Sequence, residues 1–115
     1  MKSIDVYKQY FSAFCDFDGD VRRGASVVLN ATSEEGNIEY KVCVSFFLHE
    51  DEDDFRISYD RYFEKVLFSG KGRRTKKRDA EYMKEIRAAA DAIAAENRAV
   101  IDWEKPLNDA MTDTL

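Results

Sequence analysis

Histidine occurs once in this chain, at position 49, and cysteine twice, at positions 15 and 43. Two cysteines without CxxC spacing exclude a zinc ribbon and a disulfide-dense secreted scaffold, so buried, reduced thiols are expected. A single histidine leaves one base for any Ser- or Cys-centred triad, and His49 falls at a strand end beside an acidic run. No apolar run approaches the roughly 20 residues of a membrane-spanning helix. The opening MKSIDVYKQYF has no h-region or cleavage site, which makes the cytosol the expected location. No P-loop, Gly-rich dinucleotide turn, GxSxG or HExxH occurs. The expectation is therefore a protein that is not an enzyme and carries no cofactor and no metal.

What the chain does hold is aromatic and charged. Eight Phe, six Tyr and one Trp in 115 residues supply bulky core material for one domain, expected over 1–105 with 106–115 as a loosely attached tail. Net charge is −5. Six of the 18 Lys and Arg fall between Lys71 and Arg78, which leaves 12 against 23 Asp and Glu, a balance of −11 elsewhere.

Periodicity predicts an α+β fold. Ser3 caps a first helix with Ile4, Tyr7, Phe11 and Phe14 at helical spacing, ended by Asp16–Asp20. Two strands follow. In one, Ala25, Val27, Leu29 and Ala31 alternate with Ser26, Val28, Asn30 and Thr32. In the other, Ile38 to Leu48 alternate with Glu39, Lys41, Cys43, Ser45 and Phe47. SEEGN (Ser33–Asn37) reads as the hairpin loop between them, with Gly36 free to take positive φ. Phe55, Ile57 and Tyr59 alternate as a third strand. Tyr59, Tyr62, Phe63, Val66 and Leu67 then follow helical spacing, so a helix is expected near 60–69, with one long strand through Phe68 as the alternative. A long last helix over about 77–104 is stopped by Pro106. The expected order is α-β-β-β-α-α, a three-stranded antiparallel meander with helices on one face.

Each short constellation has a functional and a bland reading. Asp16, Asp18 and Asp20 suggest a calcium loop, but its sixth and twelfth positions are Val21 and Val27, so a helix-ending turn is expected. Glu39-Tyr40-Lys41 with Asp20 matches half of a metal-dependent nuclease site, and a cross-strand charge pair explains it equally well. Met83, Ile86, Ala90, Ile93, Asn97 and Val100 are spaced 3, 4, 3, 4, 3, a heptad seam whose polar Asn97 would fix register in a homodimer.

Layout, size and acid clustered at SEEGN, HEDEDD and SYD resemble small phage-encoded anti-CRISPR proteins. That resemblance implies an inhibitor that acts in the host cytosol and binds another protein, a nucleic-acid-handling effector. Its acidic contact residues would be Glu34, Glu35, Glu50, Asp51, Glu52, Asp53 and Asp54. A second likeness, to double-stranded-RNA-binding domains, rests on Lys76 and Lys77 at the start of a helix and departs at Asp79 and Ala80. It implies direct nucleic-acid binding through Lys71, Arg73, Arg74, Lys76, Lys77 and Arg78.

Overall fold

Period-two alternation, interrupted at three places, shapes the described residues before Gly72. The computed structural model describes residues 2–16, 21–48, 58–107 and 111–112, and their side chains except at 21, 22, 48, 58–60 and 111. The elements are β1 (Lys2–Cys15), β2 (Val21–Glu34), β3 (Asn37–Leu48), β4 (Ser58–Lys71), α1 (Lys76–Met83), α2 (Ile86–Glu96), β5 (Ala99–Pro106) and β6 (Met111–Thr112). They form one antiparallel sheet of order β4-β3-β2-β1-β5, with β6 pairing Tyr7 and Lys8 of β1. The segment read as a tail thus contributes two residues to the sheet.

The two strands and the hairpin read from residues 25–48 are present. Glu35 and Gly36 both take positive φ, 50° and 80°, the geometry that lets a two-residue turn follow the twist of its strands.

The three-stranded meander with three helices is corrected: the described residues form a sheet of five strands, joined by the two-residue β6, with two short helices, and the physical causes are local. The N-terminal helix is instead strand β1. Its register shifts between Asp5 and Tyr7, so Val6 is an extra residue that reverses which face the side chains take. After it Phe11, Ala13 and Cys15 point into the core while Phe14, on the other face, is half exposed.

The helix expected at 60–69 is strand β4, the alternative reading. Its register against β3 shifts at Asp60 and again at Leu67. Two bulges seven residues apart put Tyr62 and Val66 on one face and Phe63 and Phe68 on the other, which imitates helical spacing.

The long helix is α1, α2 and β5. Asn97 donates from Nδ2 to the Ile93 carbonyl at 2.8 Å and closes the last turn of α2. Arg98 takes φ of 57° and is fixed by Asp16: Nε donates to Oδ1 at 2.9 Å, and a terminal guanidinium nitrogen to the Asp16 carbonyl at 3.0 Å. Beyond that turn Ala99 and Ile101 are buried against the core, and Val100 is 66% exposed on the opposite face.

The core lies between the sheet and α2. Ile86, Ala89, Ala90, Ile93 and Ala94 press on Val27, Leu29, Val42, Val44 and Phe46, and the alanines let the helix approach closely. Each large side chain fully buried there contributes about 1.5–3 kcal/mol. α1 is tied down by a polar knot. Asp79, itself buried, accepts from Tyr40 Oη at 2.8 Å and from Arg74 Nε at 2.9 Å. Burial and this carboxylate hold the Tyr40 phenol far above its ordinary value. Thr75 caps α1, accepting from the Arg78 N–H at 3.1 Å.

Candidate functional site

Helices cover one face of the sheet. Among the described residues no helix or strand covers the other. Strand pairing arranges this bare face in rows. Ser3, Thr32 and Glu39 stand side by side, then Asp5, Asn30, Lys41 and Val66, then Lys8, Val28, Cys43 and Glu64, then Tyr10, Ser26, Ser45 and Tyr62. In the last two rows the central side chains, Val28, Cys43, Ser26 and Ser45, are short and the flanking Lys8, Tyr10, Glu64 and Tyr62 are long, so the face is hollowed into a trough. Its volume is about 710 Å³, and its lining includes Asp5, Lys8, Ser26, Val28, Asn30, Lys41, Ser45 and Tyr62.

One end of the trough is filled. Gly24 stands opposite Phe47, and a Cβ added to Gly24 would lie 2.2 Å from the Phe47 ring. Only glycine leaves room for that ring, which is buried and meets Tyr10 edge-on at 5.7 Å. Lys8 Nζ lies 5.6 Å from the centre of the Tyr10 ring.

The polar side chains are tied to one another. Asn30 Nδ2 donates to Ser3 Oγ at 2.9 Å and to Asp5 Oδ1 at 3.0 Å, while Thr32 Oγ1 donates to Asn30 Oδ1 at 2.9 Å. At the β4 edge of the trough Lys41 Nζ pairs with Glu64 Oε2 on the neighbouring strand at 3.1 Å, and Glu64 itself stands outside the lining. The Tyr62 hydroxyl lies 3.1 Å from Cys43 Sγ and 3.0 Å from Glu64 Oε2, which holds the ring in place. The hydrogen bond to Lys41, seconded by Tyr62, holds the Glu64 carboxyl below its ordinary value. The same bond to Glu64 raises Lys41. Burial pushes the Cys43 thiol up, and the bond to Cys43 with burial pushes the Tyr62 phenol far up.

The residues expected to act together are dispersed. Glu34 and Glu35 are exposed at the β2–β3 turn. Residues 49–57, with His49, Glu50, Asp51, Glu52, Asp53 and Asp54, lie outside the described residues, as do Asp18 and Asp20. Asp16 serves the Arg98 turn. Glu39 and Lys41 share the bare face, and Lys41 pairs with Glu64. Among the described residues no group of three or more His, Cys, Asp and Glu side chains could hold a metal ion.

The basic run is divided. Arg74 is spent on buried Asp79, and the Arg78 guanidinium lies 5.0 Å from the Phe68 ring centre. Lys71, Arg73, Lys76 and Lys77 are exposed. Lys71 pairs with Asn37, and Gly72 N–H donates to Gly36 O at 3.0 Å, so the run begins against the acidic hairpin. The heptad positions do not form one stripe. Ile86, Ala90 and Ile93 are buried under α2, Met83 ends α1, Asn97 caps, and Val100 faces the other way on β5. Neither cysteine forms a disulfide, with Cys15 on the core side and Cys43 on the bare face.

Alternation had already placed Ser26, Asn30, Lys41, Cys43 and Ser45 on the face opposite the core. The aromatic wall, Tyr62, was hidden by the bulges of β4. No helix among the described residues is long and apolar enough to cross a membrane. Comparison with family models, with curated proteins and with solved structures gives no match.

Proposed function

We propose that this chain is a non-enzymatic binding protein whose recognition surface is the trough on the bare face of the sheet. One observation carries the reading: the side chains facing the trough are locked to one another in forms suited to contact rather than to chemistry. Catalytic sites move nucleophiles and acids toward neutrality. Here Cys43 and Lys41 are pushed up, away from thiolate and free amine, while Glu64 is pushed down, away from a proton donor. A surface already ordered by its own hydrogen bonds loses little entropy when it binds.

The narrower identity is an accessory inhibitor, carried by a phage or mobile element, that acts in the host cytosol on a nucleic-acid-handling protein. It rests on the −11 balance outside one run, which the charge-balanced lining of the trough does not carry, since an acidic surface beside the trough can occupy a site built for phosphates. Direct nucleic-acid binding is less favoured, because Arg74 and Arg78 are engaged within the chain.

Two variants separate the surfaces, measured against proteins captured from cell extract on the immobilised chain. Val28→Arg plants a long cation in the trough, and Glu34→Gln with Glu35→Gln strips the hairpin of charge. Binding weakened about tenfold by Val28→Arg alone supports the trough. Binding that falls only with the hairpin pair, and steeply with salt, transfers recognition to the acidic edge. Capture unchanged by either overturns both.

A further inference from the structure

The trough's chemistry narrows what it takes, on the premise that it is the recognition surface. We infer that it is a site for a neutral, polyhydroxylated ligand, a short saccharide. Its lining charges cancel, Asp5 and Glu39 against Lys8 and Lys41, so its field selects neither a polyanion nor a polycation.

The floor between those charges mixes donors and acceptors. Ser26 and Ser45 are buried hydroxyls at its base, and Asn30 presents an amide. The serine hydroxyls can both give and accept a hydrogen bond, as a sugar hydroxyl can, while the Asn30 amide, both of whose N–H groups go to Ser3 and Asp5, offers its oxygen. An apolar ligand would strip water from these groups and return nothing, which costs more than its own burial gains.

One wall is aromatic. Tyr62 is 57% exposed, and its hydroxyl is fixed by Cys43 and Glu64, so the ring is a rigid platform. The face of an aromatic ring is negative, and the C–H face of a sugar ring is weakly positive and apolar, so the two stack. Val28 adds carbon surface to the floor. From Ser45 to Glu39 the trough spans seven residues of β3, six rises or about 20 Å, longer than one sugar ring. Its 710 Å³ lies within the range of small-molecule sites.

The test is a titration of the isotope-labelled full chain, followed by backbone amide shifts. The probes are neutral trisaccharides (maltotriose, cellotriose, chitotriose) at millimolar concentration, with inorganic phosphate as the charged control. At least one trisaccharide should move Ser26, Asn30, Cys43 and Ser45 saturably, and phosphate should not. Tyr62→Ala, at an exposed position whose folding the same spectrum reports, should weaken that affinity roughly tenfold, and Tyr62→Phe, which keeps the ring, clearly less. Three silent trisaccharides, or equal shifts with phosphate, overturn the saccharide. If a captured protein partner moves the same amides instead, the saccharide fails and the recognition face stands. Saccharide shifts confined to the helical face overturn both.

Discussion

The two faces of this sheet are built from the same strands by opposite means. The face under α2 is held by apolar bulk, with Leu29, Tyr40, Val42 and Phe46 wholly buried. The bare face carries Ser, Asn, Thr and Cys at its centre and is held by hydrogen bonds between side chains. One face derives its order from exclusion of water, which is strong and non-directional. The other derives it from directional bonds that cost stability little and fix geometry closely. Alternation lets one strand serve both, so the binding surface is laid down by the residues that also build the core.

Substitutions on each face should separate these two kinds of order. The largest effect is expected at the knot beneath α1. Asp79→Ala leaves the Arg74 guanidinium, 9% exposed, without its carboxylate, and should cost about 3–5 kcal/mol in urea unfolding. Next, Ile93→Ala under α2 should cost about 2–5 kcal/mol, whereas Val100→Ala on the bare face should stay within about 0.5 kcal/mol. Equal losses at both positions would mean that the heptad spacing is used after all.

Gly24→Ala forces a Cβ onto the Phe47 ring and should cost about 1–3 kcal/mol, the one large packing effect expected on the bare face. Smaller still is the Lys41–Glu64 pair, half open to solvent and screened by salt. Glu64 is lowered from 4.5, so its contribution is full above that value and is lost as pH falls through the lower folded value. Lys41 is raised from 10.5, so its contribution is full below that value and is lost as pH rises beyond it. Unfolding of Lys41→Met followed from pH 3 to 7 should show a shallower acid slope than the parent chain, by less than about 1 kcal/mol over the range.

The smallest effect is kinetic. The Tyr62 hydroxyl lowers the Cys43 thiol against the rise due to burial, so Tyr62→Phe should slow its alkylation at pH 8. Faster labelling would show that Tyr62 shields Cys43 more than it activates it.

The central hairpin could be read from residues 25–48 because its alternation is unbroken, so core and trough floor were separable there. The flanking strands could not, since Val6, Asp60 and Leu67 each shift the alternation by one and no local signal marks a bulge. Without β4 in register, Tyr62 and Glu64 had no place opposite Cys43. The third departure is at Asn97-Arg98, where a run of alanines continues toward Val100 with no Gly or Pro to mark the end. The pattern Ala99, Ile101, Trp103 was strand-like, but it was overridden by the longer helical repeat before it. Charge was legible as composition but not as place: the sequence does not say that Arg74 turns inward or that Gly72 bonds Gly36.

The strand order bears on synthesis. β1 lies between β2 and β5, so it is paired on one side by the strand that follows it and on the other by a segment made some eighty residues later. Until Ala99–Pro106 has left the ribosome, Phe11, Ala13 and Cys15 border an open row of amides and carbonyls, the kind of edge on which nascent chains join one another. A chain stopped before Ala99 should therefore sediment as oligomers where the whole chain does not. β5 is what makes β1 safe.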